Sequence, residues 1–222
     1  MSFYETHTLF IWADGILYKP LDLAVAEAFK KQGILGVNVN ACAEYLQLRE
    51  QLALGKIDSE AFFEEVHKCF AASGQLQSDA PAAMTLMKDA FAAMTPVPEA
   101  LSALSLVKSG IKMYVVVDIP EDSFMQLPDS GELLSKIPDA SLIFSGNASL
   151  PRLLPDVLGH LSSESNTPME NCLLLDHDQR RPISALRHGM PAEEMISPMR
   201  LKRELLMRGL VDGEYCMHRR PV

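Results

Sequence analysis

The chain has 222 residues, of which 48% are hydrophobic and 22% charged, which suits one globular unit with a modest insertion and excludes a largely disordered chain. A formal net charge of -9 and a pI near 5.1 argue against a nucleic-acid partner, because phosphate binding needs clustered Lys and Arg. No apolar run approaches the roughly 18–20 residues of a bilayer span and no leader pattern opens the chain, so no membrane partner and a cytoplasmic location are expected.

Thr8 to Ile11 is a short β-branched and aromatic run closed by Asp14-Gly15, the pattern of a buried strand ending in a turn. From Leu21 to Met94 the periodicity becomes helical. Leu23, Val25, Ala26 and Phe29 predict a first helix stopped by Gly33, and Ala43–Leu54 predicts a second. Gly55 is a turn, and Asp58 or Ser59 can cap a third helix running to about Phe70. Ser73–Pro81 reads as a loop and Ala82–Met94 as a fourth helix, with Met84, Met87 and Phe91 as core filler along one face.

Pro96 and Pro98 precede a helix over Glu99–Ser109, then Gly110 and a strand over Lys112–Val117 ending at Asp118. Helix, glycine and strand form the repeating unit of a parallel sheet. A second unit runs from Leu133 through the strand Ser141–Ser145, and a third joins a helix near Leu153–Leu161 to the strand Cys172–Asp176. Two more helices follow, Pro182–His188 and Ser197–Arg208, stopped by Gly189 and Gly209. Arg200, Lys202, Arg203, Arg208, Arg219 and Arg220 make the end basic, but the first four suit the wet face of a helix. Cys42, Cys69, Cys172 and Cys216 are scattered without metal-ligand spacing and read as reduced thiols.

Ligands of open parallel sheets bind beyond the carboxyl ends of the strands. Those ends carry Trp12-Ala13-Asp14, Asp118, Ser145 and Asp176-His177-Asp178, so acids gather at one edge. Such a cluster suits a metal or a phosphate, although Asp is equally a turn residue and a helix cap after a strand.

The order of these elements, with a strand running into Asp14-Gly15, a helical insert, and Leu173-Leu174-Leu175-Asp176 before a helix and Gly189-Met190, resembles the haloacid dehalogenase superfamily in its helical-cap subgroup. The resemblance spans nearly the whole chain. It implies an α/β fold, a doubly wound parallel sheet with a Rossmann-type core (1–19 and 95–222) and a helical cap insert (20–94). Enzymes of the superfamily begin with D-x-D-G, where the first Asp attacks and the second is general acid and base. Here Trp12 stands at the nucleophile position, and an indole cannot form the covalent intermediate. Asp14 fits the acid and base, and its carbonyl fits a magnesium ligand.

The second motif supplies a Ser or Thr hydroxyl for the transferred phosphoryl group, and Asp118 stands there instead, able to accept hydrogen bonds but not donate them when ionised. The third supplies a Lys, for which Gly146–Pro151 offers Ala148, with Arg152 the nearest cation. The fourth binds magnesium through paired acids, of which Asp176 is kept and His177 replaces the second; Asp178 follows. On this basis Asp14 and Asp118 are vestigial catalytic positions, Trp12, Asp118 and Asn147 the ligand-binding candidates, and Asp14 and Asp176 weak magnesium ligands. The expectation is a hydrolase relative that has lost its reaction and acts by binding a small molecule or a protein, with a homodimer as one form. The alternative is a relocated carboxylate, Asp118 or Asp176, acting on a small phosphorylated or halogenated substrate.

Overall fold

A computed structural model of the chain describes residues 5–72, 82–137, 139–146 and 155–211. Five strands are present among them: β1 Thr8–Trp12, β2 Lys112–Val117, β3 Ala140–Phe144, β4 Cys172–Asp176 and β5 Ala192–Glu194. They form one parallel sheet in the order β3-β2-β1-β4-β5, with Trp12 opposite Val116 and Ile11 opposite Leu175. Every residue of β1 is buried, as a central strand covered on both faces requires. Its side chains alternate, so that Leu9 and Ile11 join the larger core with Val115, Val117, Leu173 and Leu175, while Phe10 and Trp12 join the opposite layer with Val116 and Leu174. The sheet order reverses at β1, which places the switch point of a doubly wound fold beside Trp12.

The insert after β1 carries four helices: α1 Leu21–Lys31, α2 Ala43–Ala53, α3 Ser59–Ala72 and α4 Ala83–Ala93. α1 buries Leu21, Ala24, Val25, Ala28 and Phe29, an i, i+3, i+4, i+7, i+8 stripe. Phe29 meets Phe70 at 5.1 Å between ring centroids and Phe63 meets Phe91 at 5.6 Å, tying the helices together. The chain leaves and re-enters side by side, since Lys19 N donates to Thr95 O at 3.0 Å and Val97 N to Leu17 O at 2.8 Å.

The remaining helices are α5 Pro98–Leu104, α6 Glu121–Phe124, α7 Ser130–Lys136, α8 Pro155–Ser165, α9 Arg180–Arg187 and α10 Pro198–Met207. Among the described residues no helix is long and apolar enough to cross a membrane.

Several expectations change. The helix predicted over Glu99–Ser109 stops at Leu104, because the next residues turn to meet the chain after α10: Val107 bridges Val211 and Lys108 N donates to Leu210 O at 3.0 Å. β5 is an additional strand, too short at Ala192–Glu194 to show alternation in the sequence. Met84 is 43% exposed, since the buried face of α4 runs through Leu86, Met87, Ala90 and Phe91. Asp58 is the cap of α3, accepting from Ala61 N at 2.8 Å, which releases Ser59 to bond Ser123 Oγ at 2.7 Å. Arg200 and Arg208 reach Glu193 at 3.3 and 3.0 Å, leaving Lys202 and Arg203 exposed. Cys42 and Cys69, far apart in sequence, bring their sulfurs to 3.1 Å. The loop Ser73–Pro81, Cys216, Arg219 and Arg220 lie outside the described residues.

The helical insert closes over the carboxyl end of the sheet. Ser145 Oγ, just beyond β3, donates to Ala53 O at 2.5 Å, and Gly55 lies backbone to backbone against Gly146. Gly55 has φ +64°, and a Cβ there would sit 3.1 Å from the Gly146 backbone. Gly55→Ala is expected to cost about 1–3 kcal/mol, from left-handed strain and the backbone clash, as measured by urea denaturation.

Candidate functional site

Trp12 ends β1 with 2% of its surface exposed, on the same face as Phe10, packed with Val157, Leu158, Ala185 and Met190 from beneath α8 and α9. Its Nε1 donates to Asp118 Oδ1 at 3.1 Å. Asp118 follows β2 directly and is also buried; its Oδ2 accepts from Arg181 Nη2 at 2.8 Å. Arg181 opens α9, and its Nη1 donates to Asp176 Oδ2 at 2.5 Å. The same guanidinium lies 4.4 Å from the centroid of the Trp12 ring, a cation–π contact inside a desolvated site. Asp176, wholly buried at the end of β4, accepts from Asp178 N through its other oxygen at 2.8 Å. One arginine therefore joins three of the sequence-predicted positions.

Asp14 stands apart from that trio and has its own arginine. Its Oδ1 accepts from Leu21 N at 2.7 Å, which satisfies a free amide of the first turn of α1. Its Oδ2 accepts from Arg49 Nη2 at 3.0 Å. Arg49 lies on the buried stripe of α2 with Tyr45 and Leu52, and its Nε is 3.4 Å from Asp22 Oδ1. Tyr45 Oη donates to the same Asp22 oxygen at 2.8 Å. The insert thus reaches into the core through a buried ion pair, where breaking either side would strand a charge.

Among the described residues, the buried carboxylates of Asp14, Asp118 and Asp176 face the guanidiniums of Arg49 and Arg181. His177 lies beside the same acids. Burial works against its charged form, but the carboxylates of Asp176, 3.5 Å away, and Asp14 outweigh that and raise its pKa above the ordinary 6.5. The ring is seated on Gly15, at φ +78°, where an added Cβ would fall 2.2 Å from His177 Cγ. Asp178 is held by Arg180, with Oδ2 to Nη2 at 2.6 Å; burial opposes its charge, but the bonds from Arg180 prevail and its carboxyl stays well below the usual range.

The cavity beside Asp14 and Asp118, walled by Ala13, Tyr18, Arg49 and Phe124, has a volume of about 10 Å³, roughly one water. Burial, then the charge of Asp129, pushes the Tyr18 hydroxyl up to about 12, so it stays protonated near neutrality.

No family model matches the sequence, and no curated protein matches it. Solved structures do. The L-2-haloacid dehalogenase of Xanthobacter autotrophicus, with chloropropionic acid covalently bound, superposes with a TM-score of 0.63 at 18% identity, over 93% of this chain and 85% of that one. A HAD family enzyme of Bacteroides thetaiotaomicron, complexed with magnesium and inorganic phosphate, gives 0.61 at 12% identity over 85% and 93%. A predicted HAD-like hydrolase of Porphyromonas gingivalis gives 0.62 at 13% over 86% and 91%. The chain has the haloacid dehalogenase-like fold.

Of the positions that the haloacid dehalogenase pattern singles out, the structure gathers Trp12, Asp118 and Asp176 around Arg181 and places Asp14 beside Arg49. Asn147, Ala148 and Arg152 lie outside the described residues. Arg49 and Arg181 are the residues that sequence reasoning missed. The signal for Arg49 was a charge at the i+4 position between Tyr45 and Leu52 on an apolar stripe. Arg181 gave less, being one of two adjacent arginines after Asp178.

Arg181→Met, which strands Asp118 and Asp176, is expected to cost about 3–5 kcal/mol in urea denaturation, whereas Arg180→Met, at an exposed side chain, should cost at most about 1 kcal/mol. A second expectation concerns pH. Because the folded-state pKa of His177 is raised, its stabilising contribution is complete below the unfolded value of 6.5 and is lost as pH rises through the folded pKa. NMR titration should place His177 above 6.5, and His177→Gln should remove that fall in stability.

Proposed function

We propose that this chain is a haloacid dehalogenase-like protein without the hydrolytic reaction, working by binding, with residues 20–94 as a cap domain closed on a core of 1–19 and 95–222. The contact that carries this reading is Arg181, which fills the space between Asp118 and Asp176 and stacks on Trp12. In a working enzyme that volume belongs to the reacting groups of the substrate and the nucleophile. An indole cannot attack, and the donor at its edge is already spent on Asp118.

The same contacts argue against magnesium at this place. That ion needs near-octahedral oxygen donors. Asp176 has both oxygens engaged, one by Arg181 and one by Asp178 N, and the carboxylate of Asp14 is held by Arg49 and Leu21 N. The donor set does not fit, and no step is routed through a metal. A relocated nucleophile at Asp118 or Asp176 meets the same objection, because a carboxylate ion-paired to a buried guanidinium is a poor attacker. Among the described residues the cavity beside Asp14 and Asp118, at about 10 Å³, supports a protein partner, a second copy of the chain included, over a small molecule at that point.

Assays with phosphorylated and halogenated substrate panels in the presence of magnesium are expected to show no turnover above the Asp14→Asn variant, which keeps a side-chain acceptor for Leu21 N. Turnover that vanishes in Asp14→Asn would overturn the reading.

A further inference from the structure

Away from the cleft, the insert carries a second group of reactive side chains. Cys42 directly precedes α2, Glu44 lies in its first turn, and Cys69 lies near the end of α3. The two sulfurs are 3.1 Å apart, Cys42 Sγ is 3.4 Å from Glu44 Oε2, and one ligand atom from each residue lies within 4.8 Å of the others. All three line an open groove of about 600 Å³ that Gln47, Gln51 and Lys68 also border. Lys68 is paired with Glu65 at 2.6 Å, and among the described residues no cationic side chain pairs with Glu44.

We propose that Cys42, Cys69 and Glu44 form a binding site for one borderline-soft divalent cation of the zinc type, with water from the groove as fourth ligand. Two thiolates and a carboxylate are the donors such an ion selects over magnesium or calcium. Binding releases the two thiol protons to solvent, and the ion replaces them on sulfur. A tetrahedral ion with bonds of about 2.3 Å holds two sulfurs about 3.8 Å apart, whereas a disulfide needs about 2.0 Å. The observed 3.1 Å is nearer the first. Glu44 separates the two readings further: it has no part in a disulfide, yet it is a third ligand for a cation. The site joins the start of α2 to the end of α3 and owes nothing to the catalytic motifs.

The test is a cobalt titration of the full chain kept reduced by a phosphine. The expected result is a thiolate-to-cobalt charge-transfer band that saturates at one ion per chain and is displaced by zinc. Cys42→Ser and Cys69→Ser should each abolish the band, and Glu44→Gln, at an exposed position that does not threaten folding, should weaken binding about tenfold or more. Zinc should raise the melting temperature of the wild type and not of the Cys42→Ser/Cys69→Ser protein. Absence of the band, the same band in the double variant, or a reduced protein that takes up no ion but forms a Cys42–Cys69 disulfide in air would each overturn the proposal.

Discussion

Asp118 and Asp176 close β2 and β4, the two strands that flank β1, and neither keeps appreciable contact with water. Two carboxylates so placed lose their hydration, and a shared guanidinium gives each a charged hydrogen-bond partner inside the core. Arg181 is that cation. Its position fixes what surrounds it: α9 must begin within a few residues of β4 for the guanidinium to reach both acids, and the flat face below it is the indole of Trp12. The indole in turn donates to the second oxygen of Asp118 through Nε1, so Trp12, Asp118, Asp176 and the arginine form one connected set of contacts.

Trp12 is a structural member of this set. An aspartate at position 12 would bring a further carboxylate beside Asp118 and Asp176, and would remove the surface on which Arg181 lies. Trp12 and Asp118 therefore support each other physically: Trp12 needs an acceptor for its buried N–H, and Asp118 is that acceptor.

The sheet was legible in the sequence because buried parallel strands are written as continuous β-branched and aliphatic runs, and Thr8–Ile11, Lys112–Val117 and Cys172–Asp176 are such runs. The helices of the insert followed from their apolar periodicity, with Gly55 and Asp58 marking the turn and cap. β5 was hidden because three residues carry no period, and the early end of α5 because its cause is a partner segment near Val211, about a hundred residues away. The acids of the site were visible as strand-end residues, but their partners were not. Arg49 and Arg181 come from different helices, and a buried arginine has the same letter as a solvated one. The Cys42–Cys69 approach was invisible for the same reason, since it depends on how α2 and α3 pack.

The two arginines also bear on motion. Moving the insert away from the sheet would separate the groups that join them. Here the separating groups include Arg49 and Asp14, a buried pair whose rupture leaves each charge without compensation, along with the Ser59–Ser123 and Ser145–Ala53 bonds. Asp14 additionally holds the first turn of α1, so displacing it loosens the insert at its entry. The closed arrangement is therefore the ground state that the contacts specify. α2 carries Arg49 on its inner face and begins just after Cys42, with Glu44 in its first turn on the open side, so whatever fixes the start of this helix also fixes the arginine that ties the insert to Asp14.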